Sequence, residues 1–239
     1  MTDQRNITAM FDHIAPHYDL LNHLLSFRID THWRHKTSKI VSSCHPTALL
    51  DVATGTADLA IQLAKDNPNA TITGLDLSEN MLKLGRQKIE KKGLSQRITL
   101  CLGNAEALPF PDDHFDAVTV AFGVRNFEHS VLGLREMLRV TKNGGLLAIL
   151  EFAPPKKKLA TLPYRLYSKQ VLPKIGQIVS KNSTAYTYLP NSIEHFSSPD
   201  IFAKTLTSLG LTKIHQRPFS GGIAILFYGI VQKNGSSPQ

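Results

Sequence analysis

Apolar residues along this chain follow two alternating patterns. Short unbroken runs occur at Leu49–Val52, Ala70–Asp76, Arg97–Leu102, Phe115–Phe122 and Gly145–Ala153, with Gly, Pro, Asn or Asp close to their ends. Runs of this length predict strands buried on both faces. Between them the apolar positions recur every three to four residues, which predicts helices. The first begins at Asp58 with Leu59, Leu63 and Ala64 on its inner face. The second spans Glu79 to Lys92, with Ser78 as its N-cap, a basic last turn and Gly93 to stop it. The third runs from Ser130 to Val140. Strand and helix in strict alternation leave a parallel sheet as the comfortable topology. After a final helix at Phe202–Leu209, the runs LTKIHQRPF and GIAILFYGIVQK are joined by Ser220, Gly221 and Gly222. They predict an antiparallel pair at the sheet edge. The expectation is an α/β fold with a seven-stranded, mostly parallel sheet and one antiparallel edge strand.

Two stretches fall outside this rhythm. Phe11, Ile14, Ala15, Tyr18, Leu21, Leu24 and Leu25 recur at helical spacing, interrupted by Pro16, and a further helix is expected from Thr31 to Ser42. Together they predict a helical cap over residues 8–45. Residues 154–196 mix Lys and Arg with Leu, Tyr, Val and Ile, which predicts a basic helical insertion over the sheet's active edge. With these additions, residues 1–239 read as a single domain.

Composition narrows the function classes. Hydrophobic content is 42%, and no apolar run approaches the roughly 20 residues of a membrane span. The opening MTDQRNITAM lacks the apolar core of a signal peptide. Cys44 and Cys101 lack ligand-like spacing, which argues against zinc and suits a reduced compartment, so the cytoplasm is expected. A net charge of +8 asks for an acidic partner. Basic residues interleaved with stacking aromatics are absent, which argues against nucleic acid. The basic segment 154–196 points to peripheral contact with an anionic membrane, at its inner face. The sequence is compatible with a homodimer.

Candidate chemistry gathers at strand ends. In LLDVATGTADLA, Leu49–Ala60, a strand ending near Asp51 passes through Thr54, Gly55 and Thr56 into a helix. About twenty residues later the second strand ends in Asp76, the distance at which an acid accepts ribose hydroxyls in Rossmann-like units. Gly55 is the only glycine between Asp51 and Ala60. A pyrophosphate cradle would need G-x-G-x-x-G. The pattern therefore favours an adenosine ligand without phosphates, and S-adenosylmethionine fits; a lone glycine is also ordinary turn chemistry. Asn104 and Ala105 follow the third strand and are placed to meet an adenine ring. Gly123, Val124, Arg125 and Asn126 follow the fourth. Asp12, His13, His17, Asp19, Asn22 and His23 form a polar set in the cap, and for the histidines a solvated helix face is the simpler reading.

With these residues in view, the sequence resembles the ubiquinone/menaquinone biosynthesis C-methyltransferase family over nearly its whole length. The segment FDHIAPHYDLLNHLLSF, Phe11–Phe27, is similar to the family's F-D-x-I-A-x-x-Y-D-x-x-N, with Trp33 and Arg34 continuing it. DVATGTAD, LDLSENML, GNAEALPFPD and FGVRN follow in family order, and RVTKNGGLLAILE, Arg139–Glu151, resembles its second signature. Asp30 stands where the family usually has histidine, and Thr141, Asn143 and Ala153 vary the second signature. The resemblance implies a class I S-adenosylmethionine-dependent methyltransferase fold (Rossmann-like), no metal, and a prenylated naphthoquinol as substrate. The implied reaction is methylation of a ring carbon of demethylmenaquinol. A ubiquinone-branch or dual-specificity enzyme, and a non-catalytic cofactor-binding scaffold, are the alternatives; Ala121, at a position often Ser in members serving ubiquinone too, favours the menaquinone type. By motif, Thr56, Asp76, Asn104 and Ala105, with Asp51 and Gly55, would bind the cofactor. Arg125 and Asn126 would face the quinol ring, with Tyr18 and Asp19 closing over it. As an arginine, Arg125 would act through its charge rather than as a base. Its plainer role is an ion pair at a helix start.

Overall fold

The computed structural model describes residues 9–13, 15, 28–153, 192–193 and 196–233. The expected insertion at 154–196 lies almost wholly outside them, as do Tyr18 and Asp19. Seven strands form one sheet: β1 (Ala48–Val52), β2 (Thr71–Asp76), β3 (Ile98–Leu102), β4 (Phe115–Ala121), β5 (Thr141–Phe152), β6 (Leu211–Phe219) and β7 (Ala224–Val231). Their spatial order is β3-β2-β1-β4-β5-β7-β6. The first five are parallel, and β7 runs antiparallel to both β5 and β6. The antiparallel edge is therefore the pair β7–β6, and its one reversed strand, β7, sits one place in from the rim.

Alternating side chains divide the core into two layers, as a sheet covered on both faces requires. Leu50, Val52, Val118, Val120, Leu147 and Ile149 face helices α4 (Ser130–Val140) and α5 (Pro199–Ser208), meeting Leu134, Met137, Phe202 and Leu206. Leu49, Ala117, Leu146, Ala148 and Leu150 face the other way. They share a cluster with Trp33 and Val41 of α1 (Ile29–Ser42), Leu59, Ala60 and Leu63 of α2 (Asp58–Asp66), and Ile89 of α3 (Glu79–Lys91). Ser78 caps α3 as expected, its hydroxyl accepting from the Met81 N–H at 3.1 Å. Among the described residues no helix is long and apolar enough to cross a membrane.

Two boundaries differ from the sequence reading for physical reasons. The expected turn at Lys142–Gly145 is taken into β5, whose register against β4 jumps from Phe115↔Thr141 to Ala117↔Leu146, so the extra residues bulge within the ladder. In the cap, residues 9–13 and 15 are helical and Ile29–Ser42 forms α1. Asp30, at the position where the family usually has histidine, forms a buried i,i+4 ion pair with Arg34.

The register sets the carboxyl ends of β1, β2, β4 and β5 side by side: Val52 lies beside Leu75 and Val120, and Ala121 beside Leu150. The chain order reverses between β1 and β4, and in open α/β sheets the crevice outside the strands' carboxyl ends at such a point holds ligands.

Beneath that point lies Asp51, 1% exposed. It accepts hydrogen bonds from the Thr54 hydroxyl at 2.6 Å and the Thr119 hydroxyl at 2.7 Å. Burial pushes its carboxyl from 3.8 to about 6, although both hydroxyls and the charge of Arg34 pull the other way. The folded chain thus holds this proton more tightly than the unfolded chain. Its contribution to stability falls as pH rises from about 4 to about 6 and is then a constant penalty. Asp51→Asn keeps hydrogen-bonding capacity and removes the charge. It is expected to raise the unfolding free energy by about 1–3 kcal/mol near pH 8 and by close to nothing near pH 4, read from urea midpoints at both pH values. An equal gain at both would contradict the assignment to Asp51 ionisation.

Candidate functional site

The loop after β1 bends sharply because three of its five residues take positive φ: Ala53 (51°), Gly55 (56°) and Ala57 (66°). Glycine accepts that conformation freely, whereas the two alanines carry strain of about 1 kcal/mol each, which the surroundings must hold. Several hydrogen bonds do so. The Thr54 N–H reaches the Leu75 carbonyl at 3.0 Å and its hydroxyl reaches Asp51. The Gly55 N–H donates to Asp76 Oδ2 at 2.8 Å. Asp76 Oδ1 accepts from the Ser78 N–H at 2.9 Å. Burial pushes the Asp76 carboxyl above its ordinary range, the charge of Asp12 adds to this, and the N–H groups of Ser78, Gly55 and Leu77 oppose it. Each carboxylate oxygen has two lone pairs, so both retain acceptor capacity after these bonds.

An open cleft lies above this loop. Ala53 and Gly55 line it from β1, Leu75 to Ser78 and Met81 from β2 and α3, Gly103 and Ala105 from β3, and Ala121, Phe122, Gly123, Asn126 and Phe127 from β4 and beyond. Its floor is made of small residues for lack of room. A Cβ on Gly123 would lie 2.6 Å from the Ala53 Cβ, and one on Gly103 would lie 2.7 Å from the Leu75 side chain. Phe11 reaches the wall from the N-terminal helical segment, where Asp12 accepts a hydrogen bond from the Ser78 hydroxyl. Asp76 is the only ionisable side chain of the wall among the described residues.

Phe122 has an uncommon backbone for a bulky residue, with φ 60°. Its ring stacks on Phe152 with centroids 4.4 Å apart and meets Trp33 of α1 at 6.2 Å. Its carbonyl accepts from Arg125 Nη1 at 2.6 Å and from Asn126 Nδ2 at 3.4 Å. Arg125 belongs to the 3₁₀ turn Val124–Asn126.

Of the ten expected site residues, Gly55, Asp76, Ala105 and Asn126 come together in the cleft wall. Asp51 lies under the floor and shapes the loop. The Thr56 hydroxyl is buried and accepts from Lys88 Nζ at 2.9 Å, turned toward α3. Asn104 is outside the wall, its Oδ1 accepting from the Glu106 N–H at 2.9 Å to shape the turn that presents Ala105. Arg125 is also outside the wall. Its guanidinium forms an ion pair with Glu151 at the end of β5. Tyr18 and Asp19 lie outside the described residues. The sequence reading assigned no role to Phe122, Phe127, Met81 or Glu151. Phe122 had a signal, since it follows β4 directly at the edge where ligands bind; Glu151 closes the second family signature, but a carboxylate inside an apolar run names no partner.

Comparison with known proteins accords with this geometry. The model of the ubiE/COQ5 methyltransferase family matches residues 1–231. A demethylmenaquinone methyltransferase of Bacteroides fragilis is 41% identical over 92% of this chain and 90% of its own length. A ubiquinone/menaquinone biosynthesis C-methyltransferase of Geobacter sulfurreducens is 44% identical over 93% and 87%. Among solved structures, an S-adenosylmethionine-dependent methyltransferase from Aquifex aeolicus superposes with a TM-score of 0.56 at 19% identity, covering 77% of this chain and 82% of that one. At that identity the likeness speaks for the fold alone. With a family model spanning all but its last eight residues and relatives above 40% identity, this chain belongs to the ubiE/COQ5 methyltransferase family.

Proposed function

We propose that this protein is an S-adenosylmethionine-dependent C-methyltransferase that converts demethylmenaquinol to menaquinol. The single observation that carries the cofactor assignment is the Asp76 carboxylate, fixed by two backbone N–H groups at the rim of a floor where a Cβ on Gly123 would collide with Ala53. The residues present fit an adenosine group. Asp76 retains acceptor capacity for two ribose hydroxyls, Gly55 and Ala53 allow close backbone approach, and Leu77 and Ala105 give the cleft apolar lining for a purine. When bound, S-adenosylmethionine supplies an electrophilic methyl group on its sulfonium. The acceptor assignment follows the names of the relatives.

On this reading the chain contributes positioning and exclusion of water. Phe11, Met81, Phe122 and Phe127 make the cleft apolar, and aligned reactants in a dry site need little else for methyl transfer. A quinol, unlike a quinone, has hydroxyls that push electron density onto the ring carbon. An ordinary phenol ionises near pH 10, so charge developing on that oxygen must be accommodated. Asn126, in the wall, offers an amide donor for it. With no histidine or lysine among the described wall residues, the departing proton leaves through water or through cap residues such as Tyr18 and Asp19. Peripheral contact with an anionic membrane, where a prenylated substrate resides, rests on Lys156, Lys157 and Lys158 in the basic stretch. A benzoquinol acceptor is the second reading, favoured by the double name of the Geobacter relative.

The test is anaerobic incubation of the purified protein with methyl-labelled S-adenosylmethionine and chemically reduced acceptors. Label is expected in menaquinone when demethylmenaquinol is supplied; label only with the demethylated benzoquinol would favour the second reading, and label in neither would refute methyl transfer to quinols. Asp76→Ala is expected to weaken cofactor binding by about 100-fold or more in calorimetry, since two charge-assisted hydrogen bonds are lost at once. A change under threefold would remove Asp76 from the cofactor site.

A further inference from the structure

The Glu151 carboxylate is 0% exposed and the Arg125 side chain 6% exposed. Glu151 is bound to the arginine twice, by Nη1 and by the backbone N–H at 3.3 Å, and takes a third hydrogen bond from the Phe152 N–H at 2.9 Å. The arginine leans on the Phe152 ring, its Cζ 5.2 Å from the centroid, and its Nε is buried with no hydrogen-bond partner. This pair adjoins the cleft wall. Arg125 donates to the carbonyl of Phe122, a wall residue, and precedes Asn126, another.

A buried ion pair is weak evidence for stability, because desolvation offsets most of the attraction. Its electrostatic consequence for the cleft is firmer. An uncompensated guanidinium behind an apolar wall would repel a cation in front of it; for unit charges about 10 Å apart with partial screening the repulsion corresponds to roughly a tenfold change in affinity. The cofactor read into this cleft is cationic at sulfur before transfer, and its product, S-adenosylhomocysteine, is a neutral thioether. We infer that Glu151 is a positioning residue that cancels the charge of Arg125 toward the cleft, so that the sulfonium is not penalised relative to the spent cofactor. The inference rests on the reading of the cleft as an S-adenosylmethionine site. It assigns Glu151 a role distinct from holding the turn, because a purely structural clamp cannot tell a sulfonium from a thioether.

Calorimetric titration with S-adenosylmethionine and, separately, S-adenosylhomocysteine gives the ratio of their affinities, and that ratio is the readout. Glu151→Gln is nearly isosteric and leaves Arg125 as a lone cation; the ratio is expected to shift about five- to tenfold against S-adenosylmethionine. Arg125→Gln leaves the lone carboxylate and is expected to shift the ratio the opposite way. This second variant keeps the test in force if Glu151→Gln does not fold. The double variant, a neutral amide pair, is expected to return the ratio to within about twofold of wild type. Equal weakening of both ligands in the single variants, or an unchanged ratio, would overturn the inference and leave Glu151 as a structural clamp. Failure of wild type to bind either ligand would instead refute the cofactor reading beneath it.

Discussion

The hydrogen bond from the Gly55 N–H to Asp76 Oδ2 joins the loop after β1 to the end of β2, and the rest of the site depends on that junction. A loop with positive φ at Ala53, Gly55 and Ala57 does not hold its shape through local preference. It is held from two sides by carboxylates, Asp76 at the rim and Asp51 below, each accepting donors from the loop. Both acids are buried enough to raise their proton affinity, so part of the energy of the packed sheet goes into keeping them in place. The strain and the buried charge together yield a floor of backbone and small side chains that a ligand can approach closely.

At the end of β4 the same logic uses different groups. Phe122 is wound into the left-handed region, which turns its carbonyl toward Arg125 and Asn126 while its ring stays among Trp33 and Phe152. The helix α1, far away in sequence, thereby becomes part of the support of the fourth strand's end. Arg34 of that helix lies 5.5 Å from the Phe122 ring centroid and neutralises Asp30, so a cation and its counterion are packed at this end of the support as at the other.

The sheet was legible because burial on both faces writes itself as unbroken apolar runs, and each of β1 to β5 lies on one. Gly55, Asp76 and Ala105 were legible because their positions relative to strand ends follow from the topology, and Asn126 through the family motif. The inward turn of Arg125 was not legible, since its partner Glu151 is 26 residues distant and only the register of β4 on β5 brings them together. Thr56 and Asn104 sit in the right loops. Which way a short polar side chain points is decided by neighbours such as Lys88 and the Glu106 N–H, and spacing carries no record of them.

The contact between Ala53 and Gly123 fixes a shared volume at the base of the cleft: one methyl group for two positions. Two loops from different strands thus form a single steric unit. In a relative built on this floor, alanine at the position of Gly123 is compatible only with glycine at the position of Ala53, an exchange that conserves the volume and moves the one side chain from the loop after β1 to the loop after β4. Covariation at this pair would mark how far through the family the floor has been inherited as one piece.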